Sequence, residues 1–567
     1  MEPTLRSIED IERELTAAGA GFELETAAVM GEEMAVFKNR PRSLNEVLVN
    51  SAGFGQAEYL VCDDLRISFA DHVGLVARVA EVFSRDHGIS KGDRVAILAA
   101  NCPEWIVCFW ATLSLGAIAV GLNGWWVRDE IMYGLADSEP SLLIGDSKRL
   151  ERVKGQQLPC SVIEIESAFP ELWQRYPEAE LPTVEIAEDD PATILYTSGT
   201  TGRPKGAVST HGNIIAMTQL QMFHGIRAMM WNNENATAAA DVPADKGAGL
   251  ASTMLCNTPL FHVSGLFAAG VTMLAGGVRT IWMRGRFDPE KVLQLIEKEK
   301  VTSWGPMGAM LHRTLGHPDL HKYDLSTIQN LGTGGAPLSS KLQARMRDVF
   351  PNARNYIGVG YGLTECTALA STIFGKDLEA HPDSVGRPLP TVSIEVRDPQ
   401  GDSLGEGEEG EIHIRSPLVM KEYWRLPEAT AETILDGRWL STGDIGRIED
   451  GRLYIATRKR DLILRGAENV YPVEIEQCLE SHPAVDEAAV IGVDHEELGQ
   501  EVKAIVVLDE GASVNGQELA TWTAERLAYY KVPAHWEFRS TPLPRNATGK
   551  VLKKLLEEGG ESAFVDE

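Results

Sequence analysis

Short aliphatic and β-branched runs alternate with stretches of helical spacing along most of this chain. Val95-Ala-Ile-Leu-Ala99, Ser141-Leu-Leu-Ile144 and Thr193-Ile-Leu-Tyr196 read as buried strands. Val76, Val79, Ala80 and Phe83 fall on one helix face, as do the apolar positions between Asp288 and Glu299. This alternation predicts an α/β fold with largely buried sheets. Trp105 to Val127 carries no charge and is long enough to span a bilayer on length alone. Thr112, Ser114, Gly116, Gly121, Asn123 and Gly124 interrupt it, and Gly116-Ala-Ile-Ala-Val-Gly-Leu122 predicts a buried strand after a core helix instead. No repeat with a period of about 20–50 residues is evident, which argues against a solenoid.

The pattern changes in two places. Over 229–250 Asn, Ala and Asp dominate with little periodicity, predicting an inserted surface loop between a helix around Gln219 and the strand entering Thr258-Pro-Leu260. A second change follows Asp450-Gly451. Arg452-Leu-Tyr-Ile-Ala456 reads as a strand, and the basic triplet Arg458-Lys-Arg460 leads into Asp461-Leu-Ile-Leu464. Beyond it, 473–481 and 516–527 read as helices and 487–493 and 501–508 as strands, an α+β unit ending in an acidic, frayed tail over 557–567. The boundary is placed near Lys459, giving domains 1–459 and 460–567.

A chain of 567 residues exceeds what one core organises, in keeping with two or more domains. Its net charge of −29 argues against nucleic acid and anionic membrane surfaces as partners. Local relief comes near the C-terminus, from Arg458, Lys459, Arg460, Arg465, Lys531, Arg545, Lys550, Lys553 and Lys554. Seven cysteines without a C-x-x-C disfavour a disulfide framework or zinc site and suit a reducing cytosol. The acidic stretch Met1-Glu-Pro-Thr-Leu-Arg-Ser-Ile-Glu-Asp10 lacks the regions of a signal peptide, so a cytoplasmic location is expected.

The chemistry concentrates first in Tyr196-Thr-Ser-Gly-Thr-Thr-Gly-Arg-Pro-Lys-Gly206. Hydroxyls and glycine backbone converging on one point suit a polyphosphate, yet the spacing is not the Walker pattern. The string resembles the phosphate-binding loop of the adenylate-forming superfamily, which joins acyl-CoA synthetases, firefly-type luciferases and peptide-synthetase adenylation domains. The resemblance implies a large N-terminal domain of αβ subdomains, with mixed sheets flanked by helices and a small β-subdomain. A small mobile α+β C-terminal domain would follow.

Further motifs stand in family order and cover essentially the whole chain. By resemblance, Thr197, Ser198, Gly199, Thr200, Thr201, Gly202 and Lys205 would hold the phosphates of ATP. Gly332-Thr-Gly-Gly-Ala-Pro-Leu-Ser339 reads as a glycine-rich turn before a helix; its Gly334, Gly335, Ala336 and Pro337 would line the adenine and acyl sites. In Gly360-Tyr-Gly-Leu-Thr-Glu365 the Tyr361 ring would stack on adenine, flanked by Gly360 and Gly362. Thr364 would reach the α-phosphate, and Glu365 would hold Mg²⁺. Asp444 of Ser441-Thr-Gly-Asp-Ile-Gly446 would take the ribose hydroxyls, with Arg458 as its partner. Arg460 would be the hinge, and Gly466, Ala467 and Glu468 would flank the coenzyme A channel. Lys550 of Pro544-Arg-Asn-Ala-Thr-Gly-Lys550 would bridge the substrate carboxylate and the α-phosphate. Val359 replaces a common glutamine, Thr457 a usual glycine and Leu464 a common lysine.

Phe261, His262, Gly308, Gly334 and Gly362 would form the acyl pocket. Peptide-synthetase domains commonly place an aspartate where His262 stands, so no carboxylate is offered here to an α-ammonium, and a non-amino acid is expected. Fatty, alicyclic and aromatic acids all suit an apolar wall built from Trp304-Gly-Pro-Met-Gly308. His262 reads equally as a gate or as a packed core residue. The resulting expectation is a cytoplasmic AMP-forming acyl-CoA synthetase of fatty acid metabolism using ATP, Mg²⁺ and coenzyme A, with a homodimer left open. An acyl-AMP ligase serving a carrier protein, a luciferase-like oxygenase and a non-catalytic binding homologue are the alternatives.

Overall fold

The computed structural model describes residues 6–557 except 198–202, 236–251, 286, 308, 335–337, 459–460, 466–467, 496–497 and 547–549. A 7-stranded sheet runs in the order Glu422–Tyr423, Lys205–Thr210, Pro191–Thr197, Ile118–Gly121, Arg94–Leu98, Leu142–Gly145, Ser161–Glu164. Its five strands from Pro191–Thr197 onward are parallel, and Lys205–Thr210 turns back antiparallel to Pro191–Thr197. The connection between those two strands contains 198–202, which lie outside the described residues. The uncharged 105–127 segment contains the helix Pro103–Ser114, buried at every position, and the strand Ile118–Gly121. Trp105, Phe109 and Trp110 are fully buried there, each worth roughly 1.5–3 kcal/mol relative to exposure. Among the described residues, no helix is long and apolar enough to cross a membrane.

A second sheet of 14 strands is continuous from a parallel half to an antiparallel half. Glu58–Cys62, Arg279–Trp282, Thr253–Cys256, Ser303–Trp304, Asn330–Gly334 and Ile357–Tyr361 lie parallel in that spatial order. From Ile357–Tyr361 the sheet continues antiparallel through Ser371–Phe374, Ser384–Pro388, Arg452–Arg458, Trp439–Glu449, Gly410–Arg415 and Ser393–Arg397. These last strands are the small β-subdomain.

The C-terminal part forms a separate 5-stranded sheet in which Val485–His495 and Gly499–Leu508 make a long hairpin, with helices Pro472–Glu480 and Gly516–Ala524 nearby. It meets the larger body where Lys341 Nζ reaches Asp509 Oδ2 at 2.6 Å and the Val485 carbonyl at 3.0 Å. The mixed α/β architecture is that expected from the sequence.

Two expectations are corrected. Residues 229–235 do not begin a loop: the helix His211–Asn235 runs through them. Trp231 packs edge-on against Phe374 at 5.7 Å, and Asn232 Nδ2 donates to the Asn355 carbonyl at 3.1 Å, so tertiary contacts extend the helix where periodicity fades. The remainder of that stretch lies outside the described residues. Gly332 to Gly334 are not a turn but the end of the strand Asn330–Gly334. A Cβ at Gly334 would sit 2.7 Å from the Gly360 carbonyl, so glycine there serves close approach of two strands.

Candidate active site

Segments that follow the carboxyl ends of strands in both sheets approach one another, and such strand ends are where open α/β sheets bind ligands. Phe261 and His262 follow Thr253–Cys256, Gly305 follows Ser303–Trp304, Gly334 ends Asn330–Gly334, and Tyr361 ends Ile357–Tyr361. From the first sheet come Thr197 and the segment 122–125. Asn101 ties the two together: its Nδ2 donates to the Thr258 carbonyl at 2.8 Å, and its Oδ1 accepts from the Leu260 N–H at 2.9 Å.

Asp444 lies buried in the strand Trp439–Glu449, directly opposite Arg458. Arg458 Nε stands 2.9 Å from Asp444 Oδ1, and the Tyr361 hydroxyl donates to Oδ2 at 2.8 Å. Burial first, then the Asp444 charge, push the Tyr361 phenol well above its usual range, so it stays a donor at neutral pH. One buried carboxylate is thereby held between a cation and a neutral donor.

Beyond Tyr361 the chain turns sharply. Gly362 is required, since a Cβ there would lie 2.1 Å from the Ala368 carbonyl. Thr364–Cys366 form a single 3₁₀ turn, and Thr367 and Ala368 adopt left-handed φ values of 52° and 84°. Such a conformation is costly for non-glycine residues, and here it presents Thr364 and Glu365 beyond the strand end. The Met420 N–H donates to the Glu365 carbonyl at 2.8 Å, and Thr367 Oγ1 to the Leu418 carbonyl at 2.6 Å, bracing the turn from behind.

Sequence reasoning missed Tyr423. Its hydroxyl donates to Glu365 Oε1 at 2.7 Å, while Lys205 Nζ lies 4.9 Å from its ring centroid. The strand Glu422–Tyr423 pairs with Lys205–Thr210, so one short edge strand links the phosphate-loop lysine to the Glu365 carboxylate. Only the pairing reveals this, since a two-residue strand leaves no periodic signal. Among the described residues there is no group of three or more His, Cys, Asp or Glu placed to hold a metal. A magnesium ion bound through one carboxylate and substrate phosphates fits Glu365 beside Lys205.

Of the residues expected at the acyl pocket, the Phe261 ring lies 4.9 Å from the His262 ring and edge-on to Trp125 at 5.3 Å. Burial pulls the His262 imidazole down to about 4, leaving it neutral at pH 7. Trp125 is 41% exposed. Val359 is buried in the core of its sheet, whereas Leu464 is 54% exposed.

Lys550 belongs to a narrow hairpin. Its N–H donates to Asn546 Oδ1 at 2.9 Å, its carbonyl accepts from the Asn546 N–H at 2.8 Å, and Arg545 bridges Val551. Glu468 is exposed on the strand Glu468–Val470. Residues 198–202, Gly308, 335–337, Arg460, Gly466 and Ala467 lie outside the described residues.

The chain is similar to known proteins along most of its length. Residues 49–424 match the AMP-binding enzyme family, and residues 474–550 match the AMP-binding enzyme C-terminal domain. A feruloyl-CoA synthase of Amycolatopsis is 35% identical over 494 residues, covering 86% of this chain and 92% of that protein. A long-chain fatty acid–CoA ligase of Bacillus subtilis is 33% identical, covering 92% of this chain and 96% of that protein. Among solved structures, an o-succinylbenzoate CoA synthetase of Bacillus subtilis with its acyl-adenylate intermediate aligns with a TM-score of 0.74. It is 30% identical and covers 93% of this chain and 100% of that one.

Proposed function

This chain belongs to the AMP-binding enzyme family of adenylate-forming enzymes and is an AMP-forming acyl-CoA synthetase; we propose that its acid is hydrophobic, fatty or aromatic. The observation that carries the substrate class is the acyl wall. Phe261, Trp125 and a neutral His262 offer apolar surface and no charge where an α-ammonium would need a carboxylate. The relatives named for ferulate and for long-chain fatty acids are consistent with such a wall.

A carboxylate is a poor acyl donor until its oxygen carries a good leaving group. In the first step the acid attacks the α-phosphorus of ATP, the bond to pyrophosphate breaks, and an acyl-adenylate forms. In the second the thiolate of coenzyme A attacks the acyl carbon and AMP departs. Asp444 accepts the ribose hydroxyls, Arg458 orients Asp444, and Tyr361 faces the base. Lys205 receives the leaving pyrophosphate, and Lys550 meets the substrate carboxylate at the α-phosphate. Magnesium held by Glu365 would offset the repulsion between two anions. Fixed cations aimed at developing charge are the main source of rate in such a site.

We also place the domain division at 459/460, between the two matched regions. Thioester formation then follows rotation of the small domain about Arg460, bringing Gly466, Ala467 and Glu468 to the coenzyme A channel. The test is pyrophosphate release with ATP and Mg²⁺ across a panel of acids, each with and without coenzyme A. Turnover restricted to hydrophobic acids and dependent on coenzyme A supports the reading. Turnover on small polar acids alone overturns the substrate class, and adenylate formation indifferent to coenzyme A moves the carrier-protein alternative forward.

A further inference from the structure

Two carboxylates of the small domain, one buried and one half-buried, grip the two ends of the segment that carries Lys550. Glu487, on the strand Val485–His495, is 6% exposed. Its Oε2 accepts from the Leu543 N–H at 3.2 Å and from Arg545 Nη2 at 3.0 Å. Glu476, on the helix Pro472–Glu480, accepts at Oε1 from the Val490 N–H at 2.8 Å and pairs with Lys553 Nζ at 2.6 Å. Arg545 and Lys553 stand five residues before and three residues after Lys550. Both ion pairs have side chains mostly withdrawn from water.

Between the grips the hairpin is closed by the Arg545–Val551 bridge and by the Leu552 N–H donating to the Pro544 carbonyl at 2.8 Å. Leu543, Val551 and Leu556 pack on Ala489, Ile491, Ile505 and Val507. The segment is thus pinned by charge at both ends and by apolar contact beneath. A buried charged hydrogen bond is short, directional and costly to leave half-made. Neither carboxylate would be needed to fill space, since an apolar residue could do that.

We propose that Glu487 and Glu476 are positioning residues for adenylation, fixing the hairpin so that Lys550 is delivered to the α-phosphate in one geometry. The proposal rests on the reading of Lys550 as the adenylation lysine. Lys341 Nζ of the larger body donates to the Val485 carbonyl at 3.0 Å, two residues before Glu487 on the same strand, so the Glu487 grip also lies near the surface where the two bodies meet.

The experiment measures the two half-reactions separately in the full-length enzyme: adenylation from acid and ATP, and thioester formation from supplied acyl-adenylate and coenzyme A. Glu487→Gln keeps size and an acceptor oxygen but loses the charge. The expected result is a fall in adenylation kcat of about 10–100-fold, the scale of a misplaced catalytic group. KM for ATP and acid should stay within about threefold, and the thioester step should be retained. Glu476→Gln, with Lys553→Met as its partner variant, tests the other end and serves if Glu487→Gln fails to fold. Equal loss of both half-reactions, or adenylation within twofold of wild type in a folded variant, would overturn the positioning role. Lys550→Ala, run in parallel, separates the premises: unchanged adenylation there removes the lysine reading itself and the positioning role with it.

Discussion

Arg458 and Asp444 face each other across adjacent antiparallel strands, Nε 2.9 Å from Oδ1, on the far side of the carboxylate from the Tyr361 hydroxyl. Their register follows from the turn between them. Glu449 pairs with Arg452 around Asp450 and Gly451, whose φ values of 49° and 70° suit a two-residue hairpin loop. A bulge between Ile445 and Gly446 then adds one residue, so Asp444 meets Arg458 rather than Thr457.

Asp444→Asn should therefore weaken ATP without unfolding the protein. The amide keeps one acceptor oxygen but loses the charge that strengthens bonds to two ribose hydroxyls, each worth about 1.5–3 kcal/mol. KM for ATP should rise at least 10-fold, with KM for the acid nearly unchanged. A steady-state titration of both substrates checks this, and an equal rise in both would place Asp444 outside the ribose site.

The Tyr423 contact gives a metal-specific prediction. A phenol donating to Glu365 Oε1 fixes the carboxylate's rotation. Tyr423→Phe removes one charge-assisted hydrogen bond, worth about 1.5 kcal/mol, and should raise the Mg²⁺ concentration for half-maximal pyrophosphate exchange by about 10-fold. A Mg²⁺ titration at saturating ATP reads it, and an unshifted midpoint would remove Tyr423 from the metal site.

Alternation of strand and helix made the α/β body and the small domain legible, because buried parallel strands leave apolar runs and packed helices leave a 3.6-residue period. The antiparallel strands from Ser371 to Arg458 were harder to place. Nothing local says that Ser371–Phe374 pairs with Ile357–Tyr361 and so continues the same sheet. Glycines misled at Gly334, where tight strand approach and a turn demand the same residue. Tyr423 was hidden because its meaning lies in a partner 58 residues away.

Gly305 offers a test of the acyl wall. A Cβ there would meet the Gly332 carbonyl and Met254 Cε at 3.6 Å, ordinary contact, so alanine fits without strain. Gly305→Ala should leave adenylation of the smallest accepted acid within twofold while lowering kcat/KM for the largest by about 10-fold, the scale of one methylene in a pocket. The ratio across a homologous series of acids is the measurement. An unchanged ratio would put Gly305 behind the wall rather than on it.

Glu480 predicts how stability of the small domain depends on pH. Burial, then the neighbouring Glu476 charge, raise its carboxyl from an ordinary 4.5 to about 8, against a smaller opposing pull from Arg545. Below pH 4.5 the folded and unfolded chains both hold this proton. Between 4.5 and about 8 only the folded chain keeps it, so stability falls as pH rises through that window and levels off above it. Glu480→Gln removes the titration yet keeps the acceptor for the Ala488 N–H. Hydrogen exchange of the Val485–His495 amides should match between variant and wild type near pH 5 after correction for intrinsic rates. At pH 8.5 the variant should be more protected by up to about 5 kcal/mol, the worth of a shift of this size. Equal protection at both pH values would mean that Glu480 is charged in the folded domain, its cost met by Arg545 or Lys553 rather than by holding a proton.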